Sequence, residues 1–201
     1  MIFSYNKEAV GDVLIAIVDN SGTEEVSCER KGNVAKIATA DKTVGYNFFD
    51  VSTYIDDLEG NGQVFLTDDQ VAKLNEQLMT NGFEGSLVAD NTPKFVVGYV
   101  KECVPHEDSD HLSVTQIEVD NGEELQIVCG APNIEQGQKV VVAKPGAMMP
   151  NGLIIWPGNL RGVDSFGMVC SAKELNLPDA PQVKGILVLP EESIVGSAFK
   201  G

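Results

Sequence analysis

The chain has 201 residues, 43% of them hydrophobic, and a formal net charge of −16. That length sets a prior of one or two domains, and that apolar fraction is enough for a globular core. The longest early aliphatic run, LIAIV, is far too short to span a bilayer, and MIFSYNKEAV lacks the basic-then-apolar layout of a signal peptide. Residues 1–93 hold 6 Lys+Arg against 16 Asp+Glu, a net −10, and residues 94–201 hold 8 against 14, a net −6. An acidic surface discourages nonspecific association with polyanions, so any nucleic-acid function has to overcome the bulk charge. The four cysteines (Cys28, Cys103, Cys129, Cys170) stand singly in apolar runs with no C-x-x-C pair. They read as buried reduced thiols of a cytoplasmic protein, with no zinc site and no disulfide framework.

The first half reads as β-rich. DVLIAIVD from Asp12 to Asp19 is an apolar run of strand length between a Gly and Asn-Ser-Gly. NVAKIAT and TVGYNFF follow as strands, with Asp41-Lys42 as the turn between them and Asn61-Gly62 as a further turn. Thr67-Asp68-Asp69-Gln70 then predicts a helix start. Thr67 caps the free N–H groups, Gln70 reaches back, and the two aspartates suit the positive end of the helix dipole. Val71, Leu74 and Leu78 fall on one helix face, and Asn81-Gly82 supplies a left-handed stop. The pairs Asp56-Asp57 and Asp68-Asp69 read as a solvated surface and a helix start. Patterning weakens between Glu84 and Lys94, where Pro93 punctuates it. We therefore expect a small α+β domain over residues 1–88 and a second domain over 89–201.

The second half is a series of short strands: KFVVGYVKECV, LSVTQIEV, ELQIVCGA, KVVVAKPG, with GLIIWPG and GILVLP as further candidates. Asn121-Gly122 is the strongest hairpin signal, because both central positions of a type I′ turn need positive φ. PNIEQG reads as a turn or short helix. Strands at this spacing predict a sandwich or barrel. A five-stranded Greek-key barrel with short helical inserts accounts for nearly all of the segment.

Four strings in order, His106-x-x-x-Asp110-x-Leu112, QIVCGAPN, VAKPGA and LRGVDSFGMVCSAKEL, resemble the tRNA-binding OB-fold domain. That domain occurs near the N-terminus of the phenylalanyl-tRNA synthetase beta chain, at the C-terminus of methionyl-tRNA synthetases, and in small free-standing bacterial tRNA-binding proteins. The resemblance runs from near Phe95 to Pro190. It implies a noncatalytic tRNA-binding protein without cofactor, catalytic residues or metal. No synthetase catalytic segment follows the barrel, and no nucleophile–base pair or metal spacing is visible. The open alternative is a protein-interaction or chaperone-like module that keeps the fold with little RNA affinity, with a homodimer or protein partner.

An OB-fold binds single-stranded or looped nucleic acid on one barrel face. The resemblance points to the SFGMVCS loop, and the RNA-binding candidates are Asn133, Lys144, Arg161, Ser165, Met168 and Ser171. Arg161 can fork two hydrogen bonds to a phosphate, or pair with Asp164 or Glu174. Lys144 ends a strand and offers a point charge, and Ser165 and Ser171 offer small hydroxyls. Met168 is either a deformable contact surface or core. Trp156 reads as packing at a barrel rim, and His106 and His111 in PHEDSDH read as part of an Asp/Ser turn. Where the family often has His-Pro-x-Ala-Asp-Lys-Leu, this chain places Glu107, Asp108 and His111. That departure reduces the positive charge available to RNA. The acidic first half is expected to oppose RNA binding.

Overall fold

A computed structural model describes residues 1–200 and is mostly β, with few helices. It divides into two compact units, Met1–Thr92 and a second beginning at Pro93. Among the described residues no helix is long and apolar enough to cross a membrane.

The first unit contains β1 (Ile2–Asn6), a single helical turn α1 (Lys7–Val10), β2 (Val13–Ile17), β3 (Ser27–Lys31), β4 (Val34–Ala38), β5 (Thr43–Phe49), β6 (Asn61–Val64) and α2 (Asp68–Thr80). The strands form one sheet in the order β3-β4-β5-β2-β1-β6, antiparallel throughout. Its alternate residues Phe3, Tyr5, Leu14, Ala16, Tyr46 and Phe48 share a core with Val71, Leu74 and Leu78 of α2. The helix begins as its sequence dictates. The Thr67 hydroxyl accepts from Gln70 N–H while the Gln70 side chain accepts from Thr67 N–H, a reciprocal capping box. Gly82 closes the helix at φ 69°.

Two expectations change here. Asn61-Gly62 is no turn: it opens the edge strand β6, opposite Asn6 and Tyr5, with Gly62 at φ 133°. Cys28 is exposed, because β3 (SCERK) is the other edge of the sheet and is solvated along its length. Cys103 is half-buried.

The second unit holds β7 (Phe95–Pro105), β8 (Ser113–Glu118), β9 (Glu124–Cys129), β10 (Lys139–Ala143), β11 (Gly158–Leu160), β12 (Val163–Ser165), β13 (Met168–Val169) and β14 (Val188–Leu189). The main sheet runs β13-β10-β7-β8-β9, with β14 also paired to β10. β7 serves two neighbours. Its first half pairs with β10 and its second with β8, and a bulge between Val100 and Glu102 bends it from one to the other. Asn121 and Gly122, at φ 58° and 72°, make the type I′ turn between β8 and β9.

The sheet nearly closes into a barrel through residues 165–169. Phe166 N–H donates to Gln126 O of β9 at 2.8 Å, and three residues later Val169 lies opposite Val142 of β10. Gly167 turns this corner at φ 145°. A Cβ there would sit 2.9 Å from Ala143 O and 3.1 Å from Ile127 Cδ1, so no side chain fits.

The KVVVA run is continuous because β10 is buried on both faces. Val140 and Val142 enter the barrel core with Val100, Ile117 and Ile127, while Val141 and Ala143 face a second core of Ala147, Met149, Ile155 and Cys170. GLIIWPG therefore supplies no sheet strand. It forms the return arm of a loop that folds back by Met149 N–H to Leu153 O and Ile155 N–H to Ala147 O, and it covers that second core. No α-helix occurs among the described residues of this unit, and the expected helical inserts are hydrogen-bonded turns.

Candidate nucleic-acid interface

The hairpin β11–β12 and the loop before β8 are clasped together at two points. His106 is 4% exposed, and its Nδ1 accepts from Asp108 N–H at 3.0 Å. The ring hydrogen must then sit on Nε2, which donates to Leu160 O at 3.1 Å. The ring thus bridges the loop to the hairpin. Arg161 supplies the second tie, donating from Nη1 to Asp108 O at 2.7 Å. It occupies the hairpin tip at φ 49°, followed by Gly162 at φ 87°, and pairs with neither Asp164 nor Glu174. One of its five N–H donors is used and the residue stays exposed. His111 lies apart from this clasp, on the surface beside Asp110.

The other candidates divide sharply. Ser165 is 4% exposed, and its hydroxyl accepts from Val128 N–H at 3.1 Å, holding the hairpin to the edge of β9. Lys144 is paired with Asp120 at 2.7 and 2.9 Å, with their side chains 12% and 25% exposed, so its charge is spent inside the unit. Asn133 clamps the returning chain: its Nδ2 donates to Ile186 O at 3.1 Å and its Oδ1 accepts from Ile186 N–H at 2.8 Å. Met168 is half-buried against the second core. Ser171 caps a helical turn. Its N–H and hydroxyl donate to Glu174 Oε2 at 2.8 and 2.7 Å, and its Oγ accepts from Glu174 N–H.

Of the six, Ser171 alone lines the groove at this end of the barrel. The groove, about 480 Å³, is lined by Val128, Val169 and Ile186 together with Lys173, Glu174 and Lys184. Both lysines are exposed. Three other cations of the unit are committed within it: Lys101 to Glu124, Lys139 to the carbonyls of Glu191 and Ser193, Lys144 to Asp120. Among the described residues the side chains of Lys173 and Lys184 make no hydrogen bond or ion pair, so this net negative unit presents two open positive charges in one cleft, which Glu174 also lines while bonded to Ser171. Sequence reasoning missed both. They stand eleven residues apart with Asn176-Leu-Pro-Asp-Ala-Pro181 between them, and they converge because Asn133 pins Ile186. The only signal in the sequence is that turn-rich stretch, which obliges the chain to double back.

Burial and then the nearby charge of Glu174 push the Cys170 thiol up to about 12, and burial raises the Cys129 thiol as well. Burial thus disfavours the thiolate at both positions. Among the described residues no three His, Cys, Asp or Glu side chains gather to hold a metal ion.

The family described as "Putative tRNA binding domain" matches residues 95–198, and a domain of unknown function, DUF4479, matches residues 21–90. A Bacillus subtilis protein named "Putative tRNA-binding protein YtpR" is 52% identical over 199 residues, covering 98% of both chains. The chain belongs to the tRNA-binding-domain family. The chain is also similar to phenylalanine–tRNA ligase beta subunits. That of Oceanobacillus iheyensis is 52% identical over 110 residues, 52% of this chain and 13% of the ligase subunit. That of Chromobacterium violaceum is 42% identical over 131 residues, 64% of this chain and 16% of the subunit. The family match spans the groove and the clasped hairpin.

Proposed function

We propose that the chain is a noncatalytic, cytoplasmic tRNA-binding protein that grips structured RNA on the rim of its second unit. In this reading that unit is a five-stranded Greek-key OB barrel carrying the hairpin and groove as additions, and the first is a separately folding α+β domain over about residues 1–88. The observation that carries the reading is that Lys173 and Lys184, whose side chains have no partner among the described residues, line one groove inside the region that matches the tRNA-binding family. Phosphate contacts supply most of the affinity of such proteins, and here they have to come from uncommitted cations in an acidic molecule.

The candidates then take different parts. Lys173 and Lys184 contact phosphates. Ser171 and the exposed Arg161 contribute hydrogen bonds at the rim, and Met168 gives a deformable edge. Ser165 and Asn133 position these groups by the bonds described above, Lys144 is spent on Asp120, and none of the three touches RNA.

A gel shift of total tRNA by the full chain tests this reading. The chain is expected to form a saturable complex at 0.05 M salt that weakens steeply toward 0.3 M, because released counterions tie affinity to salt. No complex at 0.05 M salt, with the protein folded and in micromolar excess, overturns it.

A further inference from the structure

Three phenylalanines lie in the second unit, and two of them, Phe95 and Phe199, pack against the second core. The third, Phe166, joins none of the buried clusters and is 41% exposed. An exposed apolar side chain alone is ordinary. The backbone that carries this one is not free to turn it inward. Ser165 before it is buried and bonded to Val128, its own N–H is held by Gln126 O, and Gly167 after it is wedged against Ala143 O and Ile127. Ring exposure is therefore built in by three consecutive residues, each fixed by a different contact.

Its backbone partner is polar and lies on a strand that reaches the groove. Gln126, to whose carbonyl Phe166 is bonded, continues an amide ladder: Gln116 Nε2 donates to Gln126 Oε1, and Gln126 Nε2 donates to Asp164 O. Val128, two residues on along β9 and so about 7 Å away, lines the groove. An exposed aromatic ring on a fixed backbone, bonded to a strand that two residues on lines the groove, has the makings of a stacking site for an unpaired base. Each base offers a π-face irrespective of its identity.

We infer that Phe166 is a stacking platform for one unpaired nucleobase of the bound RNA, adjoining the phosphate-binding groove. The inference rests on the tRNA-binding reading above, and it assigns to the interface an uncharged contact that Lys173 and Lys184 do not provide.

The experiment is a tRNA titration of the full-length chain with Phe166→Ala, Phe166→Leu and Phe166→Trp, each first shown to keep the wild-type thermal melt. Stacking predicts a loss of about 5- to 20-fold for both Ala and Leu, wild-type affinity for Trp, and an unchanged dependence on salt in all three. Wild-type affinity in Phe166→Leu, which keeps apolar bulk without a π-face, overturns the stacking role. So does a loss accompanied by a flatter salt dependence, which would mark a disturbed phosphate groove instead. If the wild-type chain binds no tRNA, the functional reading itself fails and the platform falls with it. A wild-type chain that binds while all three variants match it rejects the platform alone.

Discussion

Replacing Lys173 and Lys184 together by glutamate lowers tRNA affinity about 100-fold near 0.1 M salt. Each lysine that meets a phosphate contributes on the order of 1–2 kcal/mol, and two such losses compound to about that factor. The change also shows in the salt dependence. Removing two phosphate contacts flattens the slope of log affinity against log salt by about 1.4 to 1.8, from 0.7–0.9 per contact. The control is Lys101→Ala, which removes an exposed cation already paired with Glu124 and changes affinity by less than roughly twofold. Equal effects from the groove pair and from Lys101 would mean that RNA senses only total charge, and the groove would lose its assignment.

Removing the first unit has the opposite sign. A chain reduced to residue 93 onward sheds a net charge of −10 from a total of −16. If that charge opposes an approaching polyanion, the remaining fragment, once shown to be folded, binds tRNA about tenfold more tightly at 0.02–0.05 M salt. The Debye length at such salt exceeds the roughly 10 Å of 0.1 M, so the repulsion reaches across a small domain. The advantage shrinks as salt rises toward 0.3 M if charge is the cause. An advantage that persists at high salt points to steric shielding of the site by residues 1–92. Equal or weaker binding by the folded fragment at low salt removes the inhibitory role and leaves the first unit as a spacer or an assembly element.

Much of the strand order was legible because burial writes itself into patterning. The alternation in TVGYNFF and the unbroken KVVVA both report which faces are covered, one for a sheet with a single core and the other for a strand between two cores. The capping box at Thr67 and the Asn121-Gly122 turn were legible because each is a local arrangement closed within four residues. The failures share the opposite property. SCERK is a strand with no pattern because nothing covers an edge, and Asn61-Gly62 reads as a turn until Tyr5 and Asn6 pair with it.

At the interface, local chemistry marked the right loop while distant partners decided each residue's role. Ser165 is withdrawn by Val128 and Lys144 by Asp120, and Lys173 and Lys184 become a pair only when Asn133 draws residue 186 back to the barrel. No spacing rule foretells these contacts. The glycine of SFGM is the exception. Its obligate φ and its close approach to Ala143 O explain why a small residue must follow Phe166.

The claim that the groove is where RNA sits is tested most directly by a lysine footprint. The full chain is acetylated briefly with and without saturating tRNA, and each lysine is quantified by mass spectrometry. The account predicts that bound tRNA slows acetylation of Lys173 and Lys184 several-fold while the exposed Lys31 and Lys73 of the first unit react as before. Unchanged reactivity at Lys173 and Lys184, with protection falling on other lysines of a demonstrably formed complex, would contradict it.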